Sequence, residues 1–154
     1  MLLQEMSQMT PLTQQSAPAA ISSARAIARK LQVLQALIFL GLGGWCLFAP
    51  HTVERLALKP DYQHLSATTA LLIGCFGAQA VLCGSLMLVA HFTARTFLVF
   101  GLLASLPFFV FNVWFVWVAE MFTAWMLVDF AGNLSFLLIG IVGWRLLRDE
   151  TEPT

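Results

Sequence analysis

Charge is scarce in this sequence. Of its 154 residues only 10% are Asp, Glu, Lys or Arg, whereas a water-soluble domain usually carries about a quarter. Acidic and basic residues number eight each, so there is no basic field of the kind that binds nucleic acid, and we expect no nucleic-acid partner. Hydrophobic residues make up 59% of the chain. We therefore expect lipid, rather than water, to surround most of its surface.

Metal-binding and catalytic motifs are also lacking. Of the three cysteines, Cys75 and Cys83 would lie about 12 Å apart along one helix, which is too far for a disulfide. There is no Cys-x-x-Cys pair, zinc-binding spacing, phosphate loop or Ser/His/Asp arrangement. One loop carries four residues of metal-binding types, in a spacing that matches no ligand pattern: His51, Glu54, Asp61 and His64. The sequence predicts no metal and no cofactor.

What the chain has instead is four long apolar segments, at about 31–49, 67–90, 97–119 and 122–144. Each is close to the ~20 residues that a helix needs to cross a ~30 Å hydrocarbon core. Their apolar residues run continuously rather than alternating, which disfavours strands, and a helix satisfies its own backbone in lipid. The sequence predicts an all-α fold, a four-helix transmembrane bundle whose antiparallel helices run up and down.

The ends of the chain are more polar. Residues 1–24, rich in Gln, Ser, Thr, Pro and Ala, are predicted to be a disordered cytoplasmic tail, and residues 149–154 a short cytoplasmic tail. Residues 25–148 then form the membrane domain.

The basic residues predict the orientation of that domain. Two of the eight, Arg55 and Lys59, follow the first span, and the other six fall on the opposite side: Arg25, Arg29, Lys30, Arg95, Arg145 and Arg148. Positive charge concentrates in cytoplasmic loops, so we expect both termini in the cytoplasm. The membrane itself is expected to be a bacterial inner membrane.

Polar residues within the spans are the candidates for a site. Asp129 lies in the fourth span, with Asn133 one turn later, and Asn112 lies equally far from the turn between spans three and four. When residues are counted inward along the second span, Gln79 lies at about the depth of Asn133. An aspartate near a helix centre costs about 2.5 to 3.5 kcal/mol on insertion scales, so we expect a neutral Asp129 that faces these amides. The cluster is either a ligand or proton site or a purely structural one.

Two further features predict packing. Ala70, Gly74 and Ala78 form a small-residue stripe on span two, which favours close approach of a neighbour and a central place for that span. Pro107 is predicted to kink span three.

The stretch from Leu31 to Arg148 resembles the small four-span bacterial membrane proteins loosely grouped as DoxX-like. The segments "FLGLGGWCLFAP" and "FNVWFVWVAEMFTAWMLVDFAGNLSFL" and the four-span pattern carry this resemblance. It implies an accessory subunit of a membrane or redox-stress assembly, and it assigns a role to no residue.

Three functional hypotheses follow. The leading one is a non-enzymatic accessory or interaction subunit in the bilayer, whose lipid-facing helices contact a membrane-protein partner. The second is binding or transport of a small apolar molecule or a proton through the cluster around Asp129, which would need a homo-oligomer or an internal pocket. The third is a membrane enzyme acting on a lipid or quinone, with Asp129 as general acid or base, which predicts a cavity that reaches this carboxyl.

Overall fold

The computed structural model describes residues 17–148, and this part of the chain is helical, as predicted. Its helices are α1 (Ala17–Phe48), α2 (Pro50–Ala57), α3 (Ala67–Val89), α4 (Ala94–Leu103), α5 (Leu106–Val113) and α6 (Met126–Leu147). Four stretches are long and apolar enough to cross a membrane: Ser23–Phe48, Ala67–Val89, Ala94–Val118 and Met126–Leu147. The predicted four spans and all-α fold are confirmed, and the protein is a multi-pass membrane protein.

The first helix begins earlier than predicted. Residues 17–24, assigned to the tail from their composition, form the first turns of α1. Pro18 stands in the first turn, where a missing backbone N–H costs no helical hydrogen bond. Residues 1–16 and 149–154, the remainder of the two predicted tails, lie outside the described residues.

Glycines let α1 and α3 approach to backbone contact. A Cβ atom at Gly43 would lie 2.8 Å from the carbonyl oxygen of Gly77, and one at Gly77 would lie 2.6 Å from that of Gly43. Further along, a Cβ at Gly84 would lie 2.8 Å from the carbonyl oxygen of Ala36. Residue numbers rise along α1 as they fall along α3, so the two helices are antiparallel. Close approach of this kind is how helices associate in lipid, where apolar burial gives little driving force.

The end of α3 is capped by side chains of α1. Arg29 donates from Nη2 to the carbonyl oxygen of Leu88 at 2.5 Å, and Gln32 donates from Nε2 to those of Met87 at 2.5 Å and Ala90 at 2.8 Å. The last four carbonyl groups of any helix lack intrahelical partners. These two side chains supply the missing donors and fix the register of the pair.

Helices α4 and α6 also approach each other closely at glycines. A Cβ atom at Gly101 would lie 2.8 Å from the Cα of Gly140, and the ring of Phe97, 1% exposed, covers Gly143. Helix α1 joins this pair through the ring of Phe39, which stacks on Phe136 with centroids 4.8 Å apart.

These contacts give an order of packing in which α1 and α6 are central. Helix α3 packs mainly on α1 and α2, while α6 packs on α4, α5 and α1. The prediction that span two is central is therefore wrong. The predicted contact stripe on this span is wrong as well. A Cβ atom at Gly74 would have no contact within 4 Å, and Ala78 is exposed. The face with Gly77 and Gly84 packs instead, since two glycines bring the backbones closer than alanines would.

Span three is broken, as Pro107 predicts. Helix α4 ends at Leu103 and α5 begins at Leu106, with the proline in its first turn. Beyond α5 the chain widens into a π-helical turn, Trp114–Val118, closed by a 2.7 Å hydrogen bond from the N–H of Ala119 to the carbonyl oxygen of Trp114. Such turns re-aim the side chains around them.

The two loops at the Asp129 end of the bundle bind each other. Leu58 and Phe122 form an isolated antiparallel bridge. Beside it, the N–H of Lys59 donates to the carbonyl oxygen of Met121 at 2.9 Å, and that of Thr123 donates to Ala57 at 2.8 Å. The loop after α1 and the connection from span three to α6 therefore lie on the same side of the molecule.

Candidate functional site

Asp129 is the centre of a polar cluster between α5 and α6. Its Oδ2 accepts hydrogen bonds from Nδ2 of Asn112 and Nδ2 of Asn133, both at 2.8 Å. Asn112 is fully buried and Asn133 is 5% exposed, while Asp129 is half-buried. The prediction that this carboxyl turns toward its sister helix and meets both asparagines is confirmed.

Helical geometry explains the convergence. Asp129 lies in the first turn of α6, and Asn133 follows four residues later on the same face. Asn112 lies near the end of α5, where its Nδ2 also donates to the carbonyl oxygen of Phe108, one turn back, at 3.0 Å. The antiparallel packing of the two helices then brings all three side chains to one level.

The break in span three adds a fourth polar side chain that sequence reasoning missed. Ser105, between α4 and α5 and fully buried, donates from Oγ to the carbonyl oxygen of Asn133 at 2.7 Å. Its position two residues before Pro107, inside an apolar run, is the signal that could have found it, since a broken helix frees polar groups that need partners.

Two buried oxygen atoms have no hydrogen-bond partner in residues 17–148: Oδ1 of Asn112 and Oε1 of Gln35. Gln35 is 1% exposed, and its Nε2 donates to the carbonyl oxygen of Phe136 at 3.5 Å. Sequence reasoning also missed this residue. Its signal was the pair Gln32 and Gln35, both within the apolar stretch of the first span.

Gln79, the fourth candidate from the sequence, does not join the cluster. It lies on the exposed face of α3 and makes no hydrogen bond within the described residues. The depth argument placed it at a suitable level, but α3 turns Gly77 and Gly84 toward α1, and this points Gln79 away from the bundle.

A second carboxylate, Glu54 of α2, organises the outer loop. It is 1% exposed and accepts hydrogen bonds from the N–H of His64 at 2.7 Å, the N–H of Leu65 at 2.9 Å and the hydroxyl of Thr69 at 2.8 Å. Burial alone would raise the pKa of Glu54, but these three donors and nearby His51 outweigh it, so the pKa lies below the ordinary 4.5. The carboxylate thus joins α2 to the start of α3.

The described residues around Asp129 hold no metal-binding cluster. In the part of the chain that the structure covers, no three His, Cys, Asp or Glu side chains are placed to hold a metal ion. Two shallow grooves lie on the surface of the bundle. One, of ≈ 330 Å³, follows α4 and is lined by Thr93, Arg95, Thr96, Val99, Phe100 and Leu103. The other, of ≈ 290 Å³, follows α5 and is lined by Phe109, Val110, Val113 and Trp114. Asp129 lines neither of them.

Fold and site together define a multi-pass helical membrane protein with a polar cluster between its last two spans. No family model, no curated protein and no solved structure matches this chain. The resemblance to DoxX-like proteins stays a prediction.

Proposed function

We propose that this protein is a non-enzymatic accessory subunit of a membrane assembly, and that its apolar outer face contacts the partner. The observation that carries the proposal is how the buried polar side chains are used. Gln32 bonds α1 to α3, Ser105 bonds the break in span three to α6, and Asn112 bonds α5 to α6. Each hydrogen bond is used to join helices, which suits a protein whose task is to hold a shape in the bilayer.

The partner face in this proposal is the groove on α5. Val110 is 71% exposed there and Trp114 is 55% exposed, and they flank a shallow apolar depression on the surface of the bundle. Helices in lipid associate mainly by close packing, so a preformed groove is a suitable binding surface.

The distribution of Lys and Arg supports an orientation with both termini in the cytoplasm, and the resemblance to DoxX-like proteins supports a bacterial inner membrane. In that orientation the loops joined at Leu58 and Phe122 face outward, and the partner binds within the bilayer.

Purification from native membranes in mild detergent tests the proposal. We expect wild-type protein to co-purify with another membrane protein in a fixed ratio, and Val110→Trp to lose that partner because the larger ring fills the groove. Leu138→Trp, at a 54% exposed position on α6, is the matched control and keeps it. A wild-type protein that elutes with no other protein contradicts the proposal.

One observation favours a second function, binding of a small molecule beside Asp129. The buried Oδ1 of Asn112 has no donor among the described residues, and a bound ligand with an N–H or O–H group would supply one.

Variants at Asp129 separate the two functions. Asp129→Asn keeps an oxygen that can accept both amide hydrogens, so we expect a folded protein. Asp129→Leu leaves two buried donors without an acceptor and should destabilise the fold by about 1 to 3 kcal/mol for each. Thermal melts in detergent measure both. If Asp129→Asn folds, keeps its partner and keeps its cellular activity, the accessory function stands. If it folds and keeps its partner but loses all cellular activity, the second function replaces it.

A further inference from the structure

Gln79 is a polar side chain without a partner in the middle of a membrane span. It lies one residue from the midpoint of Ala67–Val89, it is exposed, and it makes no hydrogen bond within residues 17–148. In hydrocarbon, a primary amide has no water to bond with, and leaving it unpaired is costly. Glutamine at such a position bonds across to another helix when one is present.

The residues around Gln79 form a regular seam on α3. Every residue of this seam is exposed, and their spacing alternates between three and four: Leu72, Cys75, Gln79, Leu82, Leu86 and Val89. This is the a/d spacing of a heptad repeat, by which two helices pack along their whole length. The seam lies on the side of α3 opposite Gly77 and Gly84, which pack on α1.

We infer that a second copy of this chain packs on the seam, with the two α3 helices parallel and related by a two-fold axis along the membrane normal. All copies insert in the same orientation, so identical helices meet in parallel, and Gln79 then faces Gln79 of the partner subunit. A carboxamide both donates and accepts, so two copies of one glutamine satisfy each other. This self-complementarity is the reason for choosing a second copy over a different protein.

This surface is distinct from the groove on α5 in the proposed function. Helix α3 packs mainly on α1 and α2, whereas the groove belongs to the other edge of the bundle. The dimer can therefore exist whether or not the accessory function is correct.

Native cysteines provide the first test. Cys75 occupies a d position and is exposed, so two copies bring their thiols together across the axis, whereas Cys83 lies beside the seam. Copper-phenanthroline, the oxidant, takes two electrons from the paired thiols, which lose two protons and form a disulfide. In native membranes, we expect protein with Cys75 as its only cysteine to run as a covalent dimer on a non-reducing gel. Protein with only Cys83 is the matched control and should stay monomeric.

Removal of the amide is the second test. In vesicles containing donor- and acceptor-labelled copies, we expect Gln79→Leu to weaken dimerisation roughly three- to thirty-fold by energy transfer. Ser85→Ala, on the exposed side of the same helix but off the seam, is the control and should dimerise like wild type. Because Gln79 bonds to no other described residue, the variant should keep its helical circular dichroism signal.

Three results would each overturn the inference: no Cys75 cross-link, an equal cross-link from Cys83, or unchanged dimerisation of Gln79→Leu. A Cys75 disulfide to a different protein would overturn it too, since the seam would then serve another partner.

Discussion

At the scale of single residues, two carboxylates are placed by the donors that surround them. Glu54 accepts two hydrogen bonds from backbone N–H groups of the outer loop and one from the hydroxyl of Thr69 in α3. Asp129 accepts two from asparagines of two helices. Charged or strongly polar acceptors are costly to bury alone, and each donor offsets part of this cost. The first carboxylate shapes a loop, while the second joins two spans.

Glu54 gives a pH prediction. Because its pKa in the folded protein lies below 4.5, its contribution to stability is complete above pH 4.5 and is lost as the pH falls through the folded pKa. Glu54→Ala, which leaves two partly buried backbone N–H groups without their acceptor, should cost about 1 to 3 kcal/mol at neutral pH. Thermal melts in detergent between pH 3 and 7 measure this.

The control variants isolate the carboxylate. Glu54→Gln keeps an acceptor of the same shape and should lose less stability, with a flatter dependence on pH, because nothing titrates there. Asp61→Asn, at an exposed position of the same loop, should melt like wild type. A wild-type midpoint that does not change as the solution is acidified would contradict the assigned role of Glu54.

How far the sequence predicts the site depends on the kind of residue. Asp129, Asn112 and Asn133 were predictable because depth in a membrane can be counted from a turn at a fixed rise per residue. Gln79 was placed at a suitable depth but on the wrong side, since depth says nothing about which face a helix buries. The sequence does not single out Glu54, because its donors include backbone groups whose positions depend on the folded loop.

At the scale of helices, glycine decides which faces meet. The sequence of α3 contains two stripes of small residues, one with Gly74 and one with Gly77 and Gly84. Only the second stripe packs on α1. Which stripe packs depends on α1, because Gly43 has no side chain and lies at the level of Gly77. The sequence therefore predicts that close contacts exist, but the pairing of two glycines across helices requires the register of both.

Gly140 of α6 tests this packing. Gly140→Ala puts a methyl group 2.8 Å from the Cα of Gly101, so the helices must separate, and we expect a loss of about 1 to 3 kcal/mol. Gly132→Ala, on the same helix with no atom within 4 Å, is the matched control and should melt like wild type or slightly higher. If both variants melt at the same temperature, the contact between Gly101 and Gly140 can accommodate a methyl group and the prediction is wrong.

At the scale of the whole molecule, the four spans pair as successive hairpins joined through α1 and α6. The number of spans was predictable from hydropathy, because lipid demands about 20 apolar residues for each crossing. Their order in the bundle was not, since span two is no more apolar on its packed face than on its exposed face. Its buried side carries mainly glycine and alanine, and large apolar residues such as Leu71 and Phe76 lie on its exposed side.

Labelling tests the predicted orientation. Thr52, in the outer loop, and His91, between α3 and α4, are both exposed. In a cysteine-free background on intact cells, we expect a membrane-impermeant maleimide to label Thr52→Cys, and His91→Cys only after the membrane is opened. The opposite pattern would place both termini outside and contradict the positive-inside assignment.

The pairing of neighbouring spans has a consequence for biosynthesis. The ribosome releases α3 soon after α1, with only the short helix α2 and a loop between them. The glycine contacts and the cap from Arg29 and Gln32 can therefore form before the second half of the chain is made. Insertion can thus proceed one hairpin at a time, and each leaves the translocon with its helix-to-helix contacts already satisfied. The contacts of α1 with α6 form only when synthesis of the chain is nearly finished, and those between the loops at Leu58 and Phe122 form only after span three has been made.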